Sequence, residues 1–77
     1  MKFAIRLTSV EDVQNFVTLA TACSFPIRVT DGHHQVDAKC FMEMFILNML
    51  QPLTVIADCT EGEFWQLKAE ADCFLYY

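Results

Sequence analysis

Basic residues are scarce in this sequence of 77 residues. Five Lys and Arg residues stand against ten Asp and Glu residues, which gives a formal net charge of −5. The basic residues are also scattered along the chain rather than clustered. Binding to nucleic acid or to an anionic membrane surface requires clustered Lys and Arg side chains. The composition therefore argues against both nucleic acid and membrane as partners.

The sequence also lacks an apolar stretch of the roughly 20 residues that a membrane span needs. Its longest apolar run, Phe41 to Leu50, is interrupted by Glu43 and Asn48. The N-terminal residues alternate as a strand does, so we expect no signal peptide. Because 55% of the residues are hydrophobic, the sequence predicts a single small domain over residues 1–77. We expect a cytoplasmic protein.

No two cysteines have the CxxC spacing that is typical of zinc sites. An even number of cysteines in a short chain is compatible with disulfides, but two of the four fall in predicted amphipathic helices and no export signal is expected. We therefore predict reduced, mostly structural thiols, with no metal site and no cofactor. The four cysteines are Cys23, Cys40, Cys59 and Cys73.

The spacing of apolar residues predicts a βαββαβα order. An Asp31-Gly32 pair predicts a two-residue hairpin between the second and third strands. The fourth strand is mostly apolar, which favours a central position in the sheet. Short connections favour an α+β fold, with a four-stranded antiparallel sheet and the helices on one face. The predicted strands are residues 3–7, 25–30, 34–38 and 53–57, and the predicted helices are 8–23, 40–49 and one from residue 60 onward.

The starts of the first and last helices carry capping patterns. Thr8 with Glu11 fits a capping box better than Ser9 with Asp12, and the last helix repeats the pattern from Thr60. Apolar residues at helical spacing predict the buried sides of both helices. The predicted stripes are Val10, Val13, Phe16, Val17 and Ala20 in the first helix and Phe64, Leu67, Ala71, Phe74 and Leu75 in the last, with Trp65, Tyr76 and Tyr77 outside them.

The third strand joins the second helix at Ala38-Lys39-Cys40 almost without a loop. This junction, the hairpin position and the element order resemble the HPr family, the histidine-containing phosphocarriers of the sugar phosphotransferase system. That family has a regulatory serine at the position of Cys40. The pattern over residues 9–17 is similar to that of a short HPr-like subfamily of Gram-positive anaerobes. The resemblance covers residues 3–58 and implies an HPr-like open-faced sandwich that is not an enzyme.

The family's phosphorylated histidine has no counterpart in this sequence. In HPr proteins it lies in a GxHxRP loop between the first strand and the first helix. The corresponding residues 7–12 contain neither histidine nor arginine but include Glu11 and Asp12. Two carboxylates would repel the phosphoryl group that the family holds with an arginine and helix amides. The resemblance therefore implies a degenerate member that carries no phosphate.

The second predicted helix has more apolar residues than one buried side requires. In HPr proteins the corresponding helix docks partner enzymes, so the resemblance implies a protein-binding surface for phosphotransferase enzymes or a regulator. Methionine-rich surfaces adapt readily to partners. Coverage by the last helix, by Trp65 or by a second copy in a homo-oligomer is the alternative. The predicted partner-binding residues are Cys40, Phe41, Met42, Met44, Phe45 and Met49.

Two further hypotheses concern the histidines and Cys40. His33 and His34 are candidate phosphoacceptors beside the hairpin, although neighbouring strand residues point to opposite faces and are poorly placed to share a metal. Cys40, near a helix start, is a candidate thiol sensor. The acidic pairs at the helix starts are where the helix dipole favours them, so no catalytic residue is predicted.

Overall fold

The computed structural model describes residues 1–75, which form one antiparallel sheet with helices packed against it. The strands lie in the order β1-β4-β2-β3, and every neighbouring pair is antiparallel. The predicted α+β architecture and element order are confirmed, while Tyr76 and Tyr77 lie outside the described residues. The elements are β1 (Lys2–Ile5), α1 (Val10–Thr21), β2 (Ile27–Thr30), β3 (Gln35–Asp37), α2 (Phe41–Met44), β4 (Leu53–Ala57), α3 (Glu61–Glu70) and a 3₁₀ turn (Asp72–Phe74).

The core lies between the sheet and the helices. Strand β4 is central as predicted, because Val55 pairs with Phe3 of β1 and with Val29 of β2. Alternate strand residues point to one side of a sheet, and here the apolar set is buried. Helix residues such as Phe16 and Leu67 complete the core. Within residues 1–75, none of the helices has the length and apolar character needed to cross a membrane.

Helix α1 begins at a serine cap. The Ser9 hydroxyl accepts a hydrogen bond from the Asp12 amide at 3.1 Å, while the Asp12 carboxylate accepts from the Thr8 amide at 3.1 Å and from the Thr8 hydroxyl at 2.8 Å. The Thr8–Glu11 capping pattern was therefore the wrong choice, because Thr8 is bonded to Asp12. Four residues of the predicted α1 stripe are buried, but Val10 is 60% exposed.

Helix α2 is much shorter than the sequence predicted. It ends at Met44 because the next three amides bond to carbonyls three residues back, at Met42, Glu43 and Met44. The Asn48 amide then donates to a side chain of the β2–β3 turn instead of continuing the helix. The helix predicted over residues 40–49 is therefore a single turn followed by tight turns.

Helix α3 starts with the predicted capping box, in which Thr60 and Glu63 bond to each other's amides. Leu67, Ala71 and Phe74 are buried as predicted. After the 3₁₀ turn, Leu75 pairs with Ile5 and the Phe74 carbonyl accepts from the Arg6 amide at 2.8 Å. The end of the described chain therefore lies along the outer edge of β1.

Candidate partner-binding site

An apolar groove of about 350 Å³ lies between the start of α1 and the segment that follows α2. Val10 and Leu50 are 60% and 86% exposed on its walls. Neither was predicted to bind a partner: Val10 was assigned to the core stripe, and Leu50 follows the predicted helix. The apolar lining residues are Leu7, Val10, Val13, Phe45, Met49 and Leu50.

Helix α2 extends this apolar surface. Met42 is 74% exposed and Phe45 is 46% exposed, and residues three apart on a helix share a side. The Phe41 ring packs edge-on against the Phe45 ring with centroids 5.0 Å apart. Ile46 is also exposed. We call the set Val10, Phe41, Met42, Phe45, Met49 and Leu50 the apolar face.

Met44 does not belong to the apolar face. Its side chain is fully buried in the core beneath α2. The prediction that Met44 belongs to the partner-binding surface is therefore wrong. The nearly continuous apolar run gave no periodicity that could show which way the Met44 side chain points. Cys40 is the N-cap residue of α2 and is half-buried, but its side chain makes no capping hydrogen bond.

The side chains at the start of α1 bond to one another and carry a negative charge. Helix N-termini favour anions because unpaired amides and the positive end of the dipole meet there. The Asp12 carboxylate already lies there and accepts from Thr8, and the Ser9 hydroxyl accepts from the Asp12 amide. Arg6 lies on the neighbouring wall of the groove. This end of the helix therefore holds an internal carboxylate where a bound phosphoryl group would need space and positive potential.

His33 and His34 lie in a four-residue turn rather than on a strand. Thr30 pairs with Gln35, so the predicted two-residue hairpin is wrong. The longer turn forms because the Asp31 carboxylate accepts from the His33 and His34 amides, both at 2.8 Å. Gly32 has a φ of +96°, which glycine adopts without strain.

The Asp31 carboxylate also accepts from the Asn48 amide at 2.9 Å. Hydrogen bonds from Asn48, then from His34 and His33, hold the pKa of Asp31 well below its ordinary value. The Asp31 carbonyl accepts from the Gln51 side chain at 2.7 Å. We call residues 31–34 the histidine turn. These hydrogen bonds join it to the segment that forms one wall of the groove.

The imidazole of His34 has an anionic neighbour. Its Nδ1 lies 3.9 Å from Asp31 Oδ2, and the side chain is largely exposed. A phosphoryl group on this histidine would experience repulsion from the carboxylate. Among residues 1–75 there is no cluster of three His, Cys, Asp or Glu side chains that could hold a metal ion.

The four cysteines are free thiols. Burial, followed by the nearby Glu70 carboxylate, raises the pKa of Cys23. Burial and then the Glu63 carboxylate raise the pKa of Cys59. Both environments disfavour the reactive thiolate.

The fold has a counterpart among solved structures. It is similar to the crystal structure of HPr-C-His from Thermoanaerobacter tengcongensis, with a TM-score of 0.74 and 20% sequence identity over 92% of this chain and 89% of that chain. No family model and no curated protein matches the sequence. The protein therefore has the fold of an HPr phosphocarrier, and at this identity the similarity extends to the fold alone.

Proposed function

We propose that this protein is an HPr-like binding protein that carries no phosphate and acts through contact with another protein. One observation carries the proposal: the Asp12 carboxylate lies at the start of α1, bonded to Thr8, while the apolar face beside it is open to solvent. HPr proteins have their phosphorylated histidine just before this helix, and the corresponding apolar surface docks partner enzymes. In this chain a carboxylate lies at the helix start, while the apolar surface is present.

The placement of the two histidines supports the first half of the proposal. The chain's histidines are His33 and His34, and both lie in the turn that Asp31 organises. That turn places a carboxylate beside His34. A phosphocarrier needs donors that stabilise the transferred group, so we do not expect this turn to replace the missing site.

Exposed apolar side chains support the second half. A contiguous apolar patch on a small protein is typical of an interaction surface. Met42 and Leu50 are the most exposed large apolar residues of the described chain. We propose phosphotransferase enzymes or a regulator as partners, in the cytoplasm, with no enzymatic activity in this chain itself. A homo-oligomer that uses the same surface is the alternative.

The test is binding of purified phosphotransferase enzymes and their regulators to a Met42→Asp/Leu50→Asp variant. Both side chains are so exposed that the changes should leave the fold intact, which circular dichroism can check. Trp65→Asp is the control for placing a carboxylate at an exposed apolar position away from the apolar face, because Trp65 is 58% exposed on α3. We expect the double variant to lose its partner and the control to keep it. A folded double variant that binds as well as the natural sequence would contradict the proposal.

A further inference from the structure

Charge is unevenly distributed between the two layers of the molecule. The open side of the sheet carries Lys2 and Arg28, which flank Ile56 in one row of paired residues. The helical layer has Lys68 as its basic residue within α1, α2 and α3. Most of the ten carboxylates belong to that helical layer, namely Glu11, Asp12, Glu43, Glu61, Glu63, Glu70 and Asp72.

Two of these carboxylates border the apolar face. Glu43 follows Met42 on α2, and Glu11 follows Val10 on α1. Glu11 shares a side of α1 with Gln14 and Thr18, which are three and seven residues further on. Gln14 and Thr18 line a cleft together with Phe41 of the apolar face. Glu11 therefore lies on the side of α1 that meets α2.

These two glutamates have no ion-pair partner within residues 1–75, although Arg6 lines the groove beside Val10 and Leu50. Both glutamates are exposed. Lys39, the basic residue next to α2, instead donates from Nζ to the Cys23 carbonyl at 2.9 Å. The apolar face is thus an exposed hydrophobic surface bordered on two sides by glutamates that form no ion pair in the described chain.

We propose that the partner presents an apolar surface flanked by Lys or Arg side chains. This inference rests on the proposed function and names the chemistry of its partner. Interfaces bring opposite potentials together, and like charges brought face to face cost several kcal/mol. A second copy would bring the same glutamates and another net charge of −5 to the contact. The charge pattern therefore favours a basic partner over self-association.

The probes are two synthetic amphipathic helical peptides that share one leucine pattern and differ in having Lys or Glu at the flanking positions. Binding is followed through amide shifts in ¹H–¹⁵N spectra of the whole chain. We expect the Lys peptide to shift the amides of the apolar face, with an affinity that falls as salt is added. The Glu peptide should bind at least about tenfold more weakly, because its flanking charges are repelled.

Matched charge reversals locate the effect. Glu11→Lys/Glu43→Lys and Glu61→Lys/Glu70→Lys change the net charge equally. Glu11 and Glu43 are both first-turn helix residues, whereas only Glu61 of the second pair is one, so circular dichroism checks that each variant is folded. We expect the first pair to weaken the Lys peptide by about tenfold or more and the second pair to leave it within about twofold, as screening of distant charges requires. Equal weakening by both pairs would overturn the inference.

Three other outcomes would also overturn the inference. They are equal affinity for both peptides, binding of neither peptide, and sedimentation of a dimer held by the apolar face. The proposed function would fail separately, through retention of partners by Met42→Asp/Leu50→Asp. If that variant loses its partner while Glu11→Lys/Glu43→Lys keeps it, the contact surface stands and the charge inference fails.

Discussion

The Asp31 carboxylate accepts a hydrogen bond from the Asn48 amide at 2.9 Å, although 17 residues separate them in sequence. The same carboxylate orders the histidine turn through the His33 and His34 amides. One side chain thus shapes the β2–β3 turn and fixes the segment after α2. Because that segment carries Met49 and Leu50, Asp31 also positions a wall of the apolar groove.

Replacing Asp31 by Asn should destabilise the fold. Three backbone amides donate to the two carboxylate oxygens of Asp31. The asparagine side chain keeps one acceptor oxygen but loses the charge and the second acceptor oxygen. Urea unfolding should show a lower midpoint than the natural sequence. Asp58→Asn is the control, because it makes the same charge change at an exposed position. Equal midpoints for the two variants would contradict the role given to Asp31.

The Asp31 carboxylate should make the stability of the fold depend on pH. Its pKa is lowered in the fold by the amides of Asn48, His34 and His33. The stabilisation is therefore complete above the ordinary carboxyl pKa of about 3.9 and is lost as pH falls from there through the lower folded value. Unfolding midpoints measured from pH 6 downward should fall less steeply in Asp31→Asn than in Asp58→Asn.

Truncation should destabilise the fold far more at Met44 than at Met42. Met44→Ala removes a fully buried side chain and should cost about 2–5 kcal/mol of unfolding free energy. Met42→Ala removes an exposed side chain and should cost less than about 0.5 kcal/mol. Denaturant titration of the two variants measures both. Similar costs would show that α2 presents a different side to the core.

Ser9→Ala should weaken the start of α1. The hydroxyl is the acceptor for the Asp12 amide, and loss of such a cap costs about 1 kcal/mol. Ser24→Ala is the control, since Ser24 is exposed outside the helices. Thermal unfolding followed by circular dichroism compares them. A cost no greater than that of Ser24→Ala would show that Asp12 holds this turn alone.

Thiol reactivity should follow exposure and charge. Cys73 is exposed, whereas the pKa values of Cys23 and Cys59 are raised chiefly by burial. Iodoacetamide at pH 8 should therefore label Cys73 first and Cys23 and Cys59 much later, as peptide mass spectrometry can show. Labelling of Cys40 ahead of Cys73 would support the thiol-sensor hypothesis. Early labelling of Cys23 or Cys59 would contradict the burial assigned to them.

The sheet could be predicted from the sequence because its signal is local. Alternation in β1 placed Phe3 and Ile5 inward, and the apolar character of residues 53–57 placed β4 at the centre. The capping box formed by Thr60 and Glu63 was also predicted from the sequence. Each of these features depends on residues a few positions apart, which periodicity and capping rules describe directly.

The apolar site could be predicted only in outline. The run from Phe41 to Leu50 is nearly continuous, so it cannot reveal that Met44 points inward while Met42 points outward. The path of the chain after α2 is fixed by the long-range bond between Asp31 and Asn48, which no local pattern encodes. Val10 had helical spacing but lies in the first turn, beyond the core and beside the groove.

The most direct test of the central claim is the mass of the intact protein after incubation with phosphoenolpyruvate and the general enzyme of the phosphotransferase system. A phosphorylatable HPr in the same reaction is the positive control. We predict that the control gains a phosphoryl group and that this protein does not, because Asp12 occupies the start of α1 and Asp31 faces His34. A single acid-labile phosphate that disappears in a His33→Ala/His34→Ala variant would contradict the claim and make the histidine turn the active site.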